Sequence, residues 1–296
     1  MGWALLLSVG LTGCVSNPPA PQGTATLQVA SERLSDDLLS QIHANVMERL
    51  TSRKVVLDPF IDAQTGLGLR SSLRATDWVR QQLQARNSSL KIEPFDAHGV
   101  QNADYLIAGT LSKPHANSSD YVINATITDR RTGTVLASAT SRALGKEIDS
   151  TPTAFYSDSP SLVTDRLTRG YISTSQAPKG SAADQAYLAS IDTAALVNEA
   201  LTAYEDNRWQ DALIRYQTAL QRNDGKQLRV FNGLYNSYTK LGKTREAEDA
   251  FEDIVALGCL PITWPCVYFL TPAPPTFGAT RPSAASTPCG CARLRL

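Results

Sequence analysis

In the second half of the chain the same kinds of side chain return at a spacing of 35 residues: Ala212 with Ala247, and Tyr216 with Phe251. Trp209, Ala219 and Leu220 complete the first set, Gly242 and Val255 the second. A small residue with an aromatic about one turn later lets two helices approach closely and fills the groove between neighbouring pairs, so the spacing predicts stacked helical hairpins. Phe231, Leu234, Tyr238 and Leu241 supply the first helix of the second hairpin. Leu196, Ala200 and Tyr204 do the same for the first, provided that its turn is one residue shorter. Two repeats are fewer than the three that a solenoid usually needs, so other structure is expected to pack against them. Tyr235 lies off the apolar positions, which makes it the candidate partner-binding residue.

Ahead of the hairpins the apolar period changes. Leu34, Leu38, Ile42, Val46 and Leu50 recur every four residues and predict an amphipathic helix capped by Ser31 or Ser35. Val55-Val56-Leu57-Asp58-Pro59-Phe60 reads as a strand, the stretch through Leu73, Val79 and Leu83 as a helix, and Leu90–Glu93 and Tyr105–Leu111 as strands. Alternation over Tyr121–Asp129 and Thr134–Ala139, joined through Thr132-Gly133, predicts a hairpin with one wet face. Residues 145–190 carry Pro152, Pro160 and Pro178 amid Ser, Thr and Gly, and are expected to be a linker with one short helix. The 28 basic and 28 acidic residues balance, which argues against nucleic acid as a partner.

Residues 3–11 form an apolar run too short to cross a bilayer but suited to an export signal, although no Lys or Arg precedes it. The run ends in Leu11-Thr12-Gly13-Cys14, which resembles the lipobox of bacterial lipoproteins. That resemblance implies cleavage before Cys14, lipidation of its thiol, and an anchor of several acyl chains that holds permanently. Val15 rather than Asp follows, which by the same resemblance implies the outer membrane, with the chain on its periplasmic face. The Pro-rich residues 15–26 read as a tether, so the expected boundaries are a signal over 1–13, Cys14 and its tether over 14–29, and folded chain from 30.

Pro59-Phe60, the Ala103–Thr110 stretch and the Asp129–Gly133 turn resemble, in their order, the α/β domain of the flagellar outer-membrane protein O family and, more distantly, curli-secretion and TolB amino-terminal domains. The repeat at 35 is similar to the tetratricopeptide period. The expected fold is therefore an α/β (α+β) periplasmic domain over 30–144, a linker over 145–190, an all-α tetratricopeptide segment over 191–258, and a disordered tail over 259–296. In that tail the composition turns abruptly to Cys, Pro and Arg. A shifted reading frame there permits segments that resemble the opening of an OmpA-type peptidoglycan-binding domain, in which case an in-frame parent would hold peptidoglycan as well.

No catalytic constellation is expected. His43, His98 and His115 share no ligand spacing, with His43 on a helix and the other two in loops. Asp58 with Asp62, and Glu93 with Asp96, read as solvated carboxylates at strand ends, and Thr65-Gly66-Leu67-Gly68 as a turn without the lysine of a phosphate loop. The expectation is a non-catalytic scaffold without metal or cofactor. Its partners would be the membrane, through lipidated Cys14, and periplasmic or outer-membrane proteins, through the helical repeats. A cell-wall tether is the alternative, and an envelope enzyme the remote one.

Overall fold

A computed structural model describes residues 23–42, 54–87 and 90–258. The export signal, Cys14, His43 and the tail from 259 lie outside these residues, as do Val46 and Leu50. Residues before 30 already belong to the fold: Ala25 bridges to Ala143, and helix α1 (Leu27–Ser40) starts from Thr26, whose hydroxyl accepts a hydrogen bond from Val29 N. Ser31 and Ser35 are not caps but buried members of α1, their hydroxyls donating to Leu27 O and Ser31 O.

The sheet runs in the order β3 (Lys91–Glu93), β1 (Lys54–Leu57), β4 (Tyr105–Ser112), β5 (Asp120–Asp129), β6 (Val135–Leu144). β1 pairs in parallel with β3 and β4, whereas β4, β5 and β6 form an antiparallel meander. Two-residue β2 (Ile61–Asp62) pairs with the far end of β4, so that Pro59 and Phe60 interrupt a single edge running alongside β4. The Phe60 ring lies over Gly109, where an added Cβ would come within 2.4 Å of it, which explains a glycine in the middle of a buried strand.

Alternation along β1 and β4 divides the apolar side chains between two faces. Val55, Leu57, Ile107 and Leu111 pack with α1 and α2 (Arg70–Arg86) through Leu34, Leu38, Val79 and Leu83. Val56, Leu106 and Ala108 face the other way, onto Tyr171, Tyr187, Ile191 and Ala195. The expected wet face of the β5–β6 hairpin is wet only in part: Thr140 and Arg142 are exposed, but Thr126 and Thr128 are covered, and Thr126 donates to Thr174 O.

What covers that face is the stretch expected to be a linker. Residues 145–190 hold a 3₁₀ turn and helices α4 (Ala154–Asp158), α5 (Arg166–Ser175) and α6 (Gln185–Ala189); α3 (Ala97–Asn102), which carries His98, precedes β4. Pro160 and Pro178 lie just past the ends of α4 and α5 and do not prevent them. Each short helix contributes an aromatic to an interior: Phe155 and Tyr156, Tyr171, and Tyr187. The segment is thus structural core, because Pro and Ser confine helix length without removing the apolar anchors.

Four helices follow: α7 (Ile191–Glu205), α8 (Trp209–Leu220), α9 (Leu228–Lys240) and α10 (Thr244–Ala256). They form two hairpins with three-residue turns of equal length, and at the centre of each turn sits a residue with positive φ, Asn207 at 60° and Gly242 at 70°, themselves 35 apart. The shorter first turn expected from the sequence is therefore not present. Ala212, Ala247, Ala219 and Ile254 are buried at matching positions.

Candidate interaction face and buried polar centre

The first helices of the two hairpins present one face to the rest of the protein. On α7 it carries Val197 and Leu201; on α9 the matching positions, again 35 residues on, are Asn232 and Asn236. Across this face lies the segment 153–161. Its upstream end is pinned to the start of α2, where Thr153 N donates to Gly68 O, Arg70 N to Thr151 O, and Asp149 N to Ser71 Oγ at 2.7 Å. Phe155, fully buried, meets Tyr156 and Tyr204 edge-on at 5.0 and 6.0 Å and stacks on Tyr216 at 6.0 Å.

Polar side chains then address the segment's main chain. The Glu205 carboxylate accepts from Ala154 N (3.1 Å) and Phe155 N (2.8 Å). Asn236 Nδ2 donates to Phe155 O (2.9 Å) and Ser159 Oγ (3.1 Å), and Asn232 Nδ2 to Ser161 O (2.7 Å). Asp158 accepts from Tyr204 Oη at 2.7 Å and pairs with Lys240 Nζ at 3.0 Å. Burial first, then the hydrogen bond to Asp158, raises the Tyr204 phenol above its ordinary range.

Tyr235 does not take part in this grip. It matches the position of fully buried Ala200, is half-buried, and packs at 6.0 Å on Phe251 of α10. It is therefore a packing residue of the second hairpin rather than one lying off the apolar positions.

A second polar grouping lies beneath α7. Asp58 follows β1 and is only 9% exposed; its Oδ2 accepts a 2.6 Å hydrogen bond from Tyr187 Oη. Burial is the main influence on Asp58 and pushes its pKa up to about 7, against the opposing effects of the Tyr187 hydroxyl and the Arg229 charge. Tyr171 Oη donates to Gly109 O at 2.8 Å and accepts from Gly109 N at 3.0 Å, pinning α5 to β4. Asp62, also buried, does something different: it accepts from Gln64 N, Thr65 N and Thr65 Oγ1 and so shapes the turn through Gly66, whose φ is 74°. Neither aspartate is the solvated carboxylate expected, because α5, α6 and the 62–68 turn close over the strand ends.

Between Asp58, Tyr156, Tyr187, Leu201 and Arg229 is a cavity of about 80 Å³. It has room for a handful of waters, well short of the roughly 300–1,000 Å³ typical of a small-molecule site. Arg229 enters it half-buried, with Nη2 3.4 Å from Gly66 O. This centre can take up or release a proton near neutral pH, and it braces the sheet against the helices. Among the described residues no three of His, Cys, Asp and Glu gather closely enough to hold a metal ion, and no helix is long and apolar enough to cross a membrane.

Sequence reasoning missed the middle segment, Glu205 and the two asparagines. A usable signal was present: Phe155-Tyr156, Tyr171-Ile172 and Tyr187-Leu188 return at nearly even intervals, which a solvated linker has no reason to carry.

Fold and site together define a mixed α/β sheet domain joined to two helical hairpins, with a segment of the chain held between them. No protein-family model and no curated protein matches the chain. Among solved structures it is similar to the LpoB C-terminal domain from Salmonella enterica, at 14% identity and a TM-score of 0.31, over 40% of this chain and 98% of that one. A likeness of that size carries no argument about function.

Proposed function

We propose that this chain is a lipid-anchored, non-catalytic scaffold on the periplasmic face of the outer membrane, with helical hairpins of tetratricopeptide type that dock partner proteins. The observation that supports it best is the hold of the hairpins on residues 153–161. Asn232, Asn236 and Glu205 address main-chain atoms, which is how a protein surface takes up a peptide segment irrespective of most of its side chains. The anchor is inferred from Leu11-Thr12-Gly13-Cys14 alone. Tyr235 keeps part of its ring exposed and remains a candidate contact for a partner beside the second hairpin.

Metabolic labelling with a clickable fatty acid in a Gram-negative host tests the anchor. The parent should carry label and fractionate with the outer membrane, whereas Cys14→Ala should accumulate unlabelled. Label persisting on Cys14→Ala would rule out this lipidation site.

A further inference from the structure

Ordinary core packing explains why Phe155 is buried; it does not explain why its neighbours' backbone is read by side chains. Three helix positions, Glu205, Asn232 and Asn236, reach main-chain N–H or C=O groups between residues 154 and 161, while Tyr204 and Lys240 converge on the single carboxylate of Asp158. The face also has polar capacity that its occupant does not use. Among the described residues, Asn232 Oδ1, Asn236 Oδ1 and Tyr216 Oη are buried and have no hydrogen-bond partner. The occupant thus engages the donor half of both asparagine amides and leaves the acceptor half idle, although a segment with an N–H at either oxygen would use it.

We propose that residues 153–161 are a built-in occupant of a segment-binding face formed by α7 and α9, and that this face accepts in their place a segment from a partner protein with the same chemistry on a single helical turn. That chemistry is an aromatic side chain for the slot between Tyr204 and Tyr216, followed three residues later by a carboxylate for Tyr204 and Lys240. The main chain at the aromatic is held by Glu205 and Asn236, and the main chain three residues past the carboxylate by Asn232. The inference deepens the scaffold reading by naming what the hairpins recognise, and nothing in it depends on the membrane anchor. In the resting protein the face is closed by its own chain, so capture of a partner is a competition between two segments.

The probe is a fluorescent synthetic peptide with the sequence of residues 150–163, titrated by anisotropy against the purified full chain. The parent should bind it weakly, because the resident segment is tethered at both ends and holds a high effective concentration. Asp158→Ala removes the half-exposed carboxylate that locks the resident segment, and Phe155→Ala empties its aromatic slot; either change, made in the protein only, should tighten peptide binding by tenfold or more. A peptide with alanine in place of its Phe or its Asp should lose most of that gain. If Phe155→Ala does not fold by circular dichroism, Asp158→Ala decides alone. Binding by the folded variants no tighter than by the parent, or equal binding of the alanine-substituted peptides, would overturn the proposal. Fatty-acid labelling is a separate readout, so loss of the anchor and loss of the segment-binding face cannot be confused.

Discussion

Asp58 is the residue whose surroundings depart furthest from what its neighbours in sequence suggest. A carboxyl at the end of a strand beside Pro59 is ordinarily wet. Here Tyr187, more than a hundred positions later, closes over it, and burial lifts its pKa from the ordinary 3.8 to about 7. Since the folded state binds its proton more tightly than the unfolded chain, Asp58 leaves stability intact below about pH 4. Its effect then grows more unfavourable as pH rises towards 7, reaching about 4 kcal/mol. Asp58→Asn preserves an acceptor for Tyr187 and has no charge to bury. It should therefore melt well above the parent at pH 8, with the gap narrowing at pH 5, as calorimetry at the two pH values would show. A gap that does not change with pH would mean that Asp58 is not the titrating group. No local pattern could have shown this, because the groups that bury Asp58 come from α5, α6 and α9.

At the scale of elements, what was legible was what repeats or alternates. The meander β4–β6, the helices on one side of the sheet, and the hairpins marked by Ala212 and Ala247 all follow from periodicity. Elements too short to show a period were not legible: α4, α5 and α6 run from five to ten residues, and their Pro and Ser content resembles a linker. The Tyr235 position was misjudged for a related reason, since the larger side chain at the site matching Ala200 hid the correspondence. The hairpin reading makes a direct claim on packing. Ala212 is completely buried and Ala247 nearly so, so Ala→Leu at either should overpack a helix contact and cost about 1–3 kcal/mol, more at Ala212. Chemical denaturation with circular dichroism would measure it, and variants as stable as the parent would show that the helices do not meet at these positions.

At the scale of the whole molecule, the sheet and the hairpins do not have separate interiors. Helix α7 supplies Ile191 and Ala195 to the core on the second face of the sheet, and Val197, Ala200 and Tyr204 to the core of the hairpins. Leu67 and Leu69, which follow β2, join that hairpin core with Phe155 and Tyr156. A boundary drawn at residue 144 or 190 therefore cuts through packed side chains, although composition alone would place one there. A chain ending at Leu144 would retain α1, α2 and all the strands, yet Val56, Ile61, Leu106 and Ala108 would lose the cover of Tyr171, Tyr187, Ile191 and Ala195. An exposed apolar sheet face of that kind favours a compact state with secondary structure and loose side-chain packing. The truncated chain should accordingly keep strand signal in the far ultraviolet, bind a hydrophobic dye, and melt without a sharp transition, whereas the chain through Gly258 should unfold in one cooperative step. A sharp melt and no dye binding from the truncated chain would show that the sheet domain is complete at residue 144 and that the helices merely dock onto it.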